Sequence, residues 1–418
     1  MRRFLVWCLM AGAALSLGAK TYDVRAYGAK GDGVAKDTAA VQAAVDAANA
    51  AGGGTVELGA GTYLCGTIWL KSNVDFHVGP GATVKGSPDP ADYNAADAYP
   101  QNWASPREEE NQSGGHLFVA LEQTNVTLRG PGTVDGSGLR FAAYPDGRER
   151  FHQRNYEWRP GQMLHFVECE NVRIADIHFT NSTYWNCFVH GCDHVFVRGV
   201  RVTTPRSPHV LNGDGFTIDA CRHVSLSDCQ IVAYDDGLTI RCNTKRLKDK
   251  TRECAFVTVA NCTISSRMNA IRVGVGNGPI HDVTFSNVAI HDTRTAVNFC
   301  SSWGAFGTPI RNVRFSGLTV DALDFLRMHQ NGKTTPMEDI YFSDVSGCVR
   351  MRSRIWPKKG HPFRNIAFRD IDLPFGLEAF HVEGLKVEGS GRFRLLEPAP
   401  GREAFVDAEL AAGRDILY

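Results

Sequence analysis

A short phrase of two β-type runs joined by one turn residue recurs along most of this chain, and this repetition constrains the fold more than any other feature. In residues 171–182, NVRIADIHFTNS, Asp176 separates the two runs. The copies begin at nine positions: Asn125, Asn171, His194, His223, Phe256, Asp282, Asn312, Asp339 and Asn365. From Val172 onward the equivalent position recurs after 23 to 33 residues. One such unit cannot bury its own apolar face, whereas stacked units can share a continuous core.

The spacing of the copies selects one architecture. Most intervals are too short for strand–helix–strand units, which need at least ~30 residues with a helix inside, and no helical periodicity separates the runs. The sequence therefore predicts an all-β fold, a single-stranded right-handed parallel β-helix. Residues 38–51 predict one short helix, with Asp37 as its N-cap and the glycines 52–54 as its end. This helix would cap the open N-terminal end of the solenoid.

Composition and the first residues bear on partners and location. Lys and Arg total 45 and Asp and Glu total 45, so the charge balance favours neither nucleic acid nor an anionic surface as a partner. Residues 1–19 resemble a signal peptide, with two arginines before an apolar run that is short for a bilayer span; an uncleaved anchor is the alternative. We expect a secreted or periplasmic monomer with one catalytic β-helix domain over residues 20–418.

Eleven of the 12 cysteines follow the predicted signal peptide. Several recur at the interval of the repeat, which indicates stacked positions rather than a dense disulfide framework. Cys242 and Cys254 flank a basic insertion and are the pair predicted to close a loop by a disulfide. Buried unpaired thiols acting as small apolar residues are the alternative.

Two acidic motifs stand close together in the repeat region. They are residues 212–215, NGDG, and residues 234–237, YDDG, so that Asp214 and Asp235 are 21 residues apart. If this interval is one turn of the solenoid, Asp214, Asp235 and Asp236 crowd at about the ~4.8 Å distance between strands. Crowded carboxylates are costly and are usually kept for chemistry, which predicts a carbohydrate-active hydrolase. The alternative is that these aspartates serve only as bend residues, as we expect for Asp176 and Asp228.

Six blocks of sequence resemble a known family. Residues 27–48 and 52–78, followed by GPGTVDGSG at residues 130–138, resemble the opening of glycoside hydrolase family 28, the polygalacturonase family of right-handed parallel β-helices. Residues 181–202, LNGDGFTIDAC at 211–221 and YDDGLTIRC at 234–242 resemble its central region. The resemblance covers about residues 21 to 320.

The resemblance implies an inverting hydrolase with three catalytic aspartates. Asp235 matches the general acid, which protonates the leaving oxygen, and Asp214 and Asp236 match the pair that activates water. Inversion needs the acid and the base roughly 6.5 to 9.5 Å apart so that a water molecule fits between them. Mutual repulsion among three acids would keep one of them protonated.

The sequence departs from the family pattern around the substrate. Asn269 stands where the family has the histidine of its GHG motif, and residues 296–300, AVNFC, lack both cations of its RIK motif. We therefore expect a pectic or related glycan whose sugar need not be galacturonate. The predicted substrate-binding residues are Asn212, Arg241, Asn269 and Arg272. For Asn269 and Arg272, a role in side-chain ladders or salt bridges is the alternative.

Other functions remain open at this level. Two polar insertions carry aromatic residues suited to stacking on sugars, with plain loop packing as the alternative. A non-catalytic glycan-binding β-helix is one rival function, and a calcium-dependent lyase using the same aspartates is another. The histidines show no zinc-binding spacing, and we expect neither a metal nor another cofactor.

Overall fold

The computed structural model describes residues 20–94, 114–141, 158–204, 212–245, 247–300, 302–303, 306–330 and 333–412. The predicted signal peptide lies outside these residues. The described helices are α1 (Thr38–Ala50), α2 (Gly138–Phe141) and α3 (Arg402–Ala411), with 3-10 turns at Val24–Tyr27 and Pro90–Asp92.

The strands of the first half of the chain are β1 (Thr21–Asp23), β2 (Asp32–Lys36), β3 (Gly54–Leu58), β4 (Gly61–Cys65), β5 (Ile68–Trp69), β6 (Val74–Val78), β7 (Ala82–Gly86), β8 (Phe118–Leu121), β9 (Thr124–Arg129), β10 (Thr133–Asp135), β11 (Leu164–Val167), β12 (Glu170–Ala175), β13 (His178–Thr180), β14 (Cys187–His190), β15 (Asp193–Arg198) and β16 (Arg201–Thr203).

Those of the second half are β17 (Phe216–Asp219), β18 (Arg222–Ser227), β19 (Gln230–Ala233), β20 (Leu238–Cys242), β21 (Cys254–Ser266), β22 (Asn269–Gly276), β23 (Ile280–Cys300), β24 (Ser302–Trp303), β25 (Phe306–Gly307), β26 (Ile310–His329), β27 (Met337–Val349), β28 (Ser353–Trp356), β29 (Phe363–Asp372), β30 (Leu377–Ala379), β31 (Val382–Glu383) and β32 (Lys386–Glu388).

The strands stack in register as a right-handed parallel β-helix, as the repeat predicts. Each copy of the phrase pairs with the next through the same position. The paired residues are Val126, Val172, Val195, Val224, Val257, Val283, Val313, Ile340 and Ile366. All nine side chains are buried, so the apolar face that one copy cannot bury alone becomes the shared interior.

The bends of the coil explain the turn residues of the repeat. The first residue of every copy has a left-handed backbone, as in Asn171 with φ 55° and His194 with φ 53°. Five residues later the bend between the two runs also has a positive φ in every copy, as in Asp176, Asp228 and Gly199. Asn, Asp and Gly adopt this conformation at low cost, which accounts for their recurrence in the sequence.

The N-terminal helix forms where it was predicted, but Asp37 does not cap it with its side chain. Helix α1 buries Val41 and Val45 against the first coils and ends before the glycines. The Asp37 carboxylate instead accepts hydrogen bonds from the backbone N–H groups of Lys30, at 2.7 Å, and Gly31, at 3.0 Å. It therefore fixes the turn that precedes the helix.

The C-terminal tail also closes with a helix. Val406 and Leu410 of α3 pack with Trp356 and Phe380 in a small cluster of their own. No helix in the described ranges is long and apolar enough to cross a membrane.

The predicted Cys242–Cys254 disulfide is wrong. All eleven cysteines after residue 20 carry free thiols, and ten of them are buried. The Cys242 thiol lies 3.6 Å from the carbonyl oxygen of Arg252, while Cys254 continues a ladder one coil below Cys221. The alternative of buried, unpaired thiols therefore describes these residues.

Candidate active site

Asp214 and Asp236 occupy equivalent positions on neighbouring coils. Phe216 pairs with Leu238, and the ladder continues backward because the Gly215 N–H donates to the Asp236 carbonyl oxygen at 2.8 Å. The turn of the coil at this point is thus 22 residues, so Asp236, rather than Asp235, lies beside Asp214. Asp235 is one residue earlier, on the connecting bend, where its N–H lies 3.5 Å from the Gly213 carbonyl oxygen.

The glycine after each aspartate is required by the close approach of the backbones. A Cβ atom on Gly237 would lie 2.6 Å from the Ala270 carbonyl oxygen, and one on Gly215 would collide with the Gly237 carbonyl oxygen. Asp214 is 6% exposed, Asp236 is 2% exposed and Asp235 is partly exposed. The two motifs therefore place three aspartates at adjoining positions of two neighbouring coils, and Asp235 is the most accessible of them to solvent.

The Asp236 carboxylate is held on both oxygens. Asn269 donates through Nδ2 to Oδ1 at 2.6 Å, and Arg272 donates through Nη1 to Oδ2 at 2.7 Å. Asn298, on the following coil, donates through Nδ2 to Asn269 Oδ1 at 2.9 Å. Two strong donors suit an ionised carboxylate, which accepts but cannot donate. Asn269 and Arg272 thus contact the predicted site through the Asp236 carboxylate.

Asp214 is fixed through its backbone by a residue that the sequence did not single out. Asn186 donates to the Asp214 carbonyl oxygen from its backbone N–H at 2.9 Å and from Nδ2 at 2.7 Å. Asn186 is fully buried and also donates to Thr204 Oγ1. The only sequence signal was its position in NSTYWNC, one coil before the first acidic motif.

Asn212 adopts a left-handed backbone with φ 58° at the entry to the motif. The buried Arg159 approaches its Oδ1 at 3.5 Å and donates to the Thr183 carbonyl oxygen at 3.0 Å. Arg159 also lies 4.8 Å above the Tyr184 ring. Asn212 therefore takes part in positioning the bend that presents Asp214.

Arg241 lies on β20, where it is in register with Asp219 of β17 and is surrounded by other side chains. Its Nε is 3.3 Å from Asp219 Oδ2, and its guanidinium lies 4.9 Å from the centre of the Trp185 ring. Asp219 also accepts from the Asn243 N–H at 2.6 Å. Arg241 is 4% exposed, so its described contacts place it among buried side chains on β20, five residues beyond Asp236 in the chain.

The coils on the N-terminal side carry two buried histidines on the same outer face. The rings of His116 and His165 are 4.1 Å apart, and His165 is in register with Phe188. Burial lowers the pKa of His116 to about 4. Burial also lowers the pKa of His165 well below its usual range, with smaller contributions from His116 and His190. Both rings are therefore neutral at physiological pH.

The aromatic insertions are only partly described. Tyr93 and Trp158, one from each insertion, pack on one another with ring centres 5.4 Å apart, and the Tyr93 hydroxyl donates to the Ser87 carbonyl oxygen. For this pair, loop packing is the observed role. Tyr99, Trp103, Tyr144, Tyr156 and His209 lie outside the described residues.

Two clusters could hold a metal ion among the residues that the structure describes, and neither contains the three aspartates. They are Asp193 with His194 and His223, and His381 with Glu403 and Asp407. In the first, both histidines already contact Asp193, at 3.1 and 2.7 Å.

A parallel β-helix that stacks Asp214 and Asp236 on neighbouring coils, with Asp235 on the bend beside Asp236, suits the carbohydrate-active hydrolases, which use paired carboxyl groups. The model of the family Glycosyl hydrolases family 28 matches residues 101–391, and the chain belongs to this family. It is therefore a glycoside hydrolase of the polygalacturonase-like kind.

Relatives and solved structures agree with this assignment. A probable polygalacturonase of Vitis vinifera is 22% identical over 417 residues, covering 93% of this chain and 81% of the relative. The exopolygalacturonase of Thermotoga maritima superimposes with a TM-score of 0.68 at 17% identity, covering 90% of each chain. The endo-xylogalacturonan hydrolase of Aspergillus tubingensis gives 0.58 at 17% identity, covering 92% and 97%. These structural likenesses establish the fold.

Proposed function

We propose that the protein hydrolyses glycosidic bonds of a pectic polysaccharide or oligosaccharide with inversion of configuration. The observation that carries the proposal is the in-register stacking of Asp214 and Asp236, with Asp235 on the bend between them. The names of its relatives, which refer to polygalacturonate and xylogalacturonan, support a pectic substrate.

The contacts of the three aspartates support distinct roles. Asp235 is the general acid, because it is the most exposed of the three and can reach the leaving oxygen of a bound glycan. Asp214 and Asp236 act together as the base that activates water. The donors on Asp236 from Asn269 and Arg272 favour an ionised, oriented carboxylate for this role.

We propose that Asn269 and the partly exposed Arg272 also contact the sugar unit over Asp236. Asn212 and Arg241 contribute by holding the shape of the site, since their described contacts join them to Arg159 and to Asp219. Because residues 296–300 carry neither cation of the family's RIK motif, the carboxylate clamp of a galacturonate unit is altered here.

We further propose that the chain is exported to the periplasm or the medium after loss of residues 1–19. It then acts as a monomer whose single β-helix domain needs no cofactor. The Arg272 guanidinium, 2.7 Å from Asp236, opposes a cation at that carboxylate, which argues against the calcium-dependent alternative.

Replacing the proposed acid tests the assignment. We expect Asp235→Asn to lower the release of reducing ends from pectic polysaccharides by about 10²- to 10⁴-fold, because the leaving oxygen loses its proton donor. Asp228→Asn is the matched control, because Asp228 is an exposed bend residue with φ 57° that asparagine adopts equally well.

An Asp235→Asn variant within a few-fold of the wild-type rate would refute the role of Asp235. Binding without turnover across a broad panel of glycans would instead indicate the glycan-binding alternative. A product with an ultraviolet-absorbing double bond, formed only without chelator, would indicate the lyase.

A further inference from the structure

A cavity of about 460 Å³ opens beside the acidic cluster, and the proposed mechanism does not use it. Its walls carry three arginines, two aspartates, one tyrosine, one threonine and one leucine. The lining residues are Tyr234, Arg267, Asp292, Thr293, Arg294, Asp321, Leu323 and Arg350.

The register of the strands places this cavity along the edge of the acidic cluster formed by Asp214, Asp235 and Asp236. Tyr234 precedes Asp235 directly, and Arg267 precedes Asn269, the partner of Asp236, by two residues. On the next coil Thr293 precedes Thr295, which pairs with Asn269. The cavity therefore extends parallel to the solenoid axis over several coils about 4.8 Å apart, within three residues of the strand position that Asp236 and Asn269 share.

The cations on its walls are exposed and oriented. Arg267 and Arg350 are exposed and Arg294 is partly exposed. Arg267 lies 5.1 Å above the Tyr234 ring and donates to the Tyr234 hydroxyl at 2.7 Å. Arg350 donates to Asp321 at 2.7 Å and to the Ala322 carbonyl oxygen at 2.8 Å.

Such contacts restrict the side chains before any ligand arrives, which reduces the entropy lost on binding. Tyr234 is a positioning residue in this scheme, because its ring and hydroxyl direct the Arg267 guanidinium. The described lining carries one more positive than negative side chain, which favours an anion.

We propose that this cavity is a subsite for an acidic sugar unit of the glycan, next to the unit bound over Asp214 and Asp236. Arg267 and Arg294 bind its carboxylate, because guanidinium groups pair with carboxylates through two parallel hydrogen bonds. The inference rests on the proposed function, since it assigns this unit to the same bound chain. It gives the enzyme a cationic contact outside residues 296–300, which lack the cations of the family motif.

Binding to full-length protein carrying Asp235→Asn tests the subsite without turnover. The probes are an oligogalacturonide and the same oligosaccharide with its carboxyl groups methyl-esterified, compared by titration calorimetry. We expect the acid to bind at least about threefold more tightly than the ester. Adding Arg267→Gln or Arg294→Gln should weaken binding of the acid about three- to tenfold and leave the ester within about twofold.

Two matched variants serve as controls. Arg173→Gln removes an exposed arginine from β12, remote from the cavity in the fold, and should change neither affinity. Arg267→Lys keeps the charge and should recover part of the lost affinity for the acid. In the otherwise wild-type chain, Arg294→Gln should raise KM for the acidic substrate with little change in kcat.

Equal affinities for the acid and the ester would overturn the subsite. So would Arg267 and Arg294 variants whose affinity for the acid equals that of Arg173→Gln. The two proposals fail separately. If the wild-type enzyme cleaves pectic chains but the Arg267 and Arg294 variants bind the acidic oligosaccharide as tightly as their parent, only the subsite is refuted. Arginine-dependent binding by a wild-type protein that cleaves none would support the subsite and refute the hydrolase role.

Discussion

His165 is a buried residue whose pKa lies well below its usual value because of burial. Its ring is fully buried between His116 and Phe188, and neither ring nitrogen has a hydrogen-bond partner in the described part of the chain. A buried polar group without a partner costs about 1 to 3 kcal/mol. His165, which lies two coils before the coil of Asp214, therefore lowers the stability of the fold.

The depressed pKa values of His116 and His165 make stability depend on pH. The unfolded chain takes up protons near pH 6.5, whereas burial keeps both native rings neutral to lower pH. The free energy of unfolding should therefore fall as pH drops from 6.5 toward 4, by about 3 kcal/mol for His116 alone.

We expect His165→Phe to raise the free energy of unfolding at pH 7 by about 1 kcal/mol and to make its fall with acid shallower. Urea denaturation at several pH values measures both effects. The exposed His361→Gln should leave the pH profile unchanged. A His165→Phe profile parallel to that of the wild type would contradict the assignment.

Single residues were predictable where the sequence carried a motif. Two short acidic motifs single out Asp214, Asp235 and Asp236 in the sequence, and the register confirms that Asp214 and Asp236 stack on neighbouring coils. Asn186 and Arg159 could not, because their contacts cross coils and depend on a register that only the folded chain defines. The Asp37 side chain was misassigned for a similar reason, since its partners belong to the preceding turn and not to the helix.

At the scale of elements, the repeat builds ladders of identical side chains. Phe285, Phe315, Phe342 and Phe368 occupy the same position on consecutive coils, with ring centres 4.5, 4.7 and 5.0 Å apart and nearly parallel planes. Offset stacking of this kind adds about 0.5 to 1.5 kcal/mol per pair to the burial of the rings.

Truncating one ring of this ladder should therefore be severe. We expect Phe315→Ala to lower the free energy of unfolding by about 3 to 5 kcal/mol, because a cavity forms between two remaining rings. Chemical denaturation monitored by circular dichroism provides the measurement. Phe196→Ala on β15, where the ring is 48% exposed, should cost less than about 1 kcal/mol. Comparable losses in the two variants would contradict this account.

Strands and bends were predictable from the sequence because each copy repeats the same local chemistry. The left-handed bend positions could be inferred from Asn, Asp and Gly. Phe256 and His223 adopt the same conformation, with φ 57° and 54°, but these residue types carry no such signal, and only their place in the repeat indicates the bend. The turn of the coil at the acidic motifs was predicted one residue short, since loop length varies between copies.

For the whole molecule, the stacking of coils converts distant sequence into one continuous surface. Successive coils supply the three aspartates, their asparagine and arginine partners, and the proposed subsite, and each coil contributes a few side chains. The repeat predicted this architecture, and the family assignment agrees with it. The cavity beside Tyr234 could not be predicted, because Arg267, Arg294 and Arg350 carry no common motif.

The configuration of the newly formed reducing end tests the central claim most directly. Proton NMR of the first product, recorded before mutarotation, distinguishes the two anomers. The arrangement of Asp235 as acid and Asp214 with Asp236 as base predicts inversion, with water delivered opposite the leaving group. A product that retains the configuration of the substrate would require a covalent intermediate and would contradict this account.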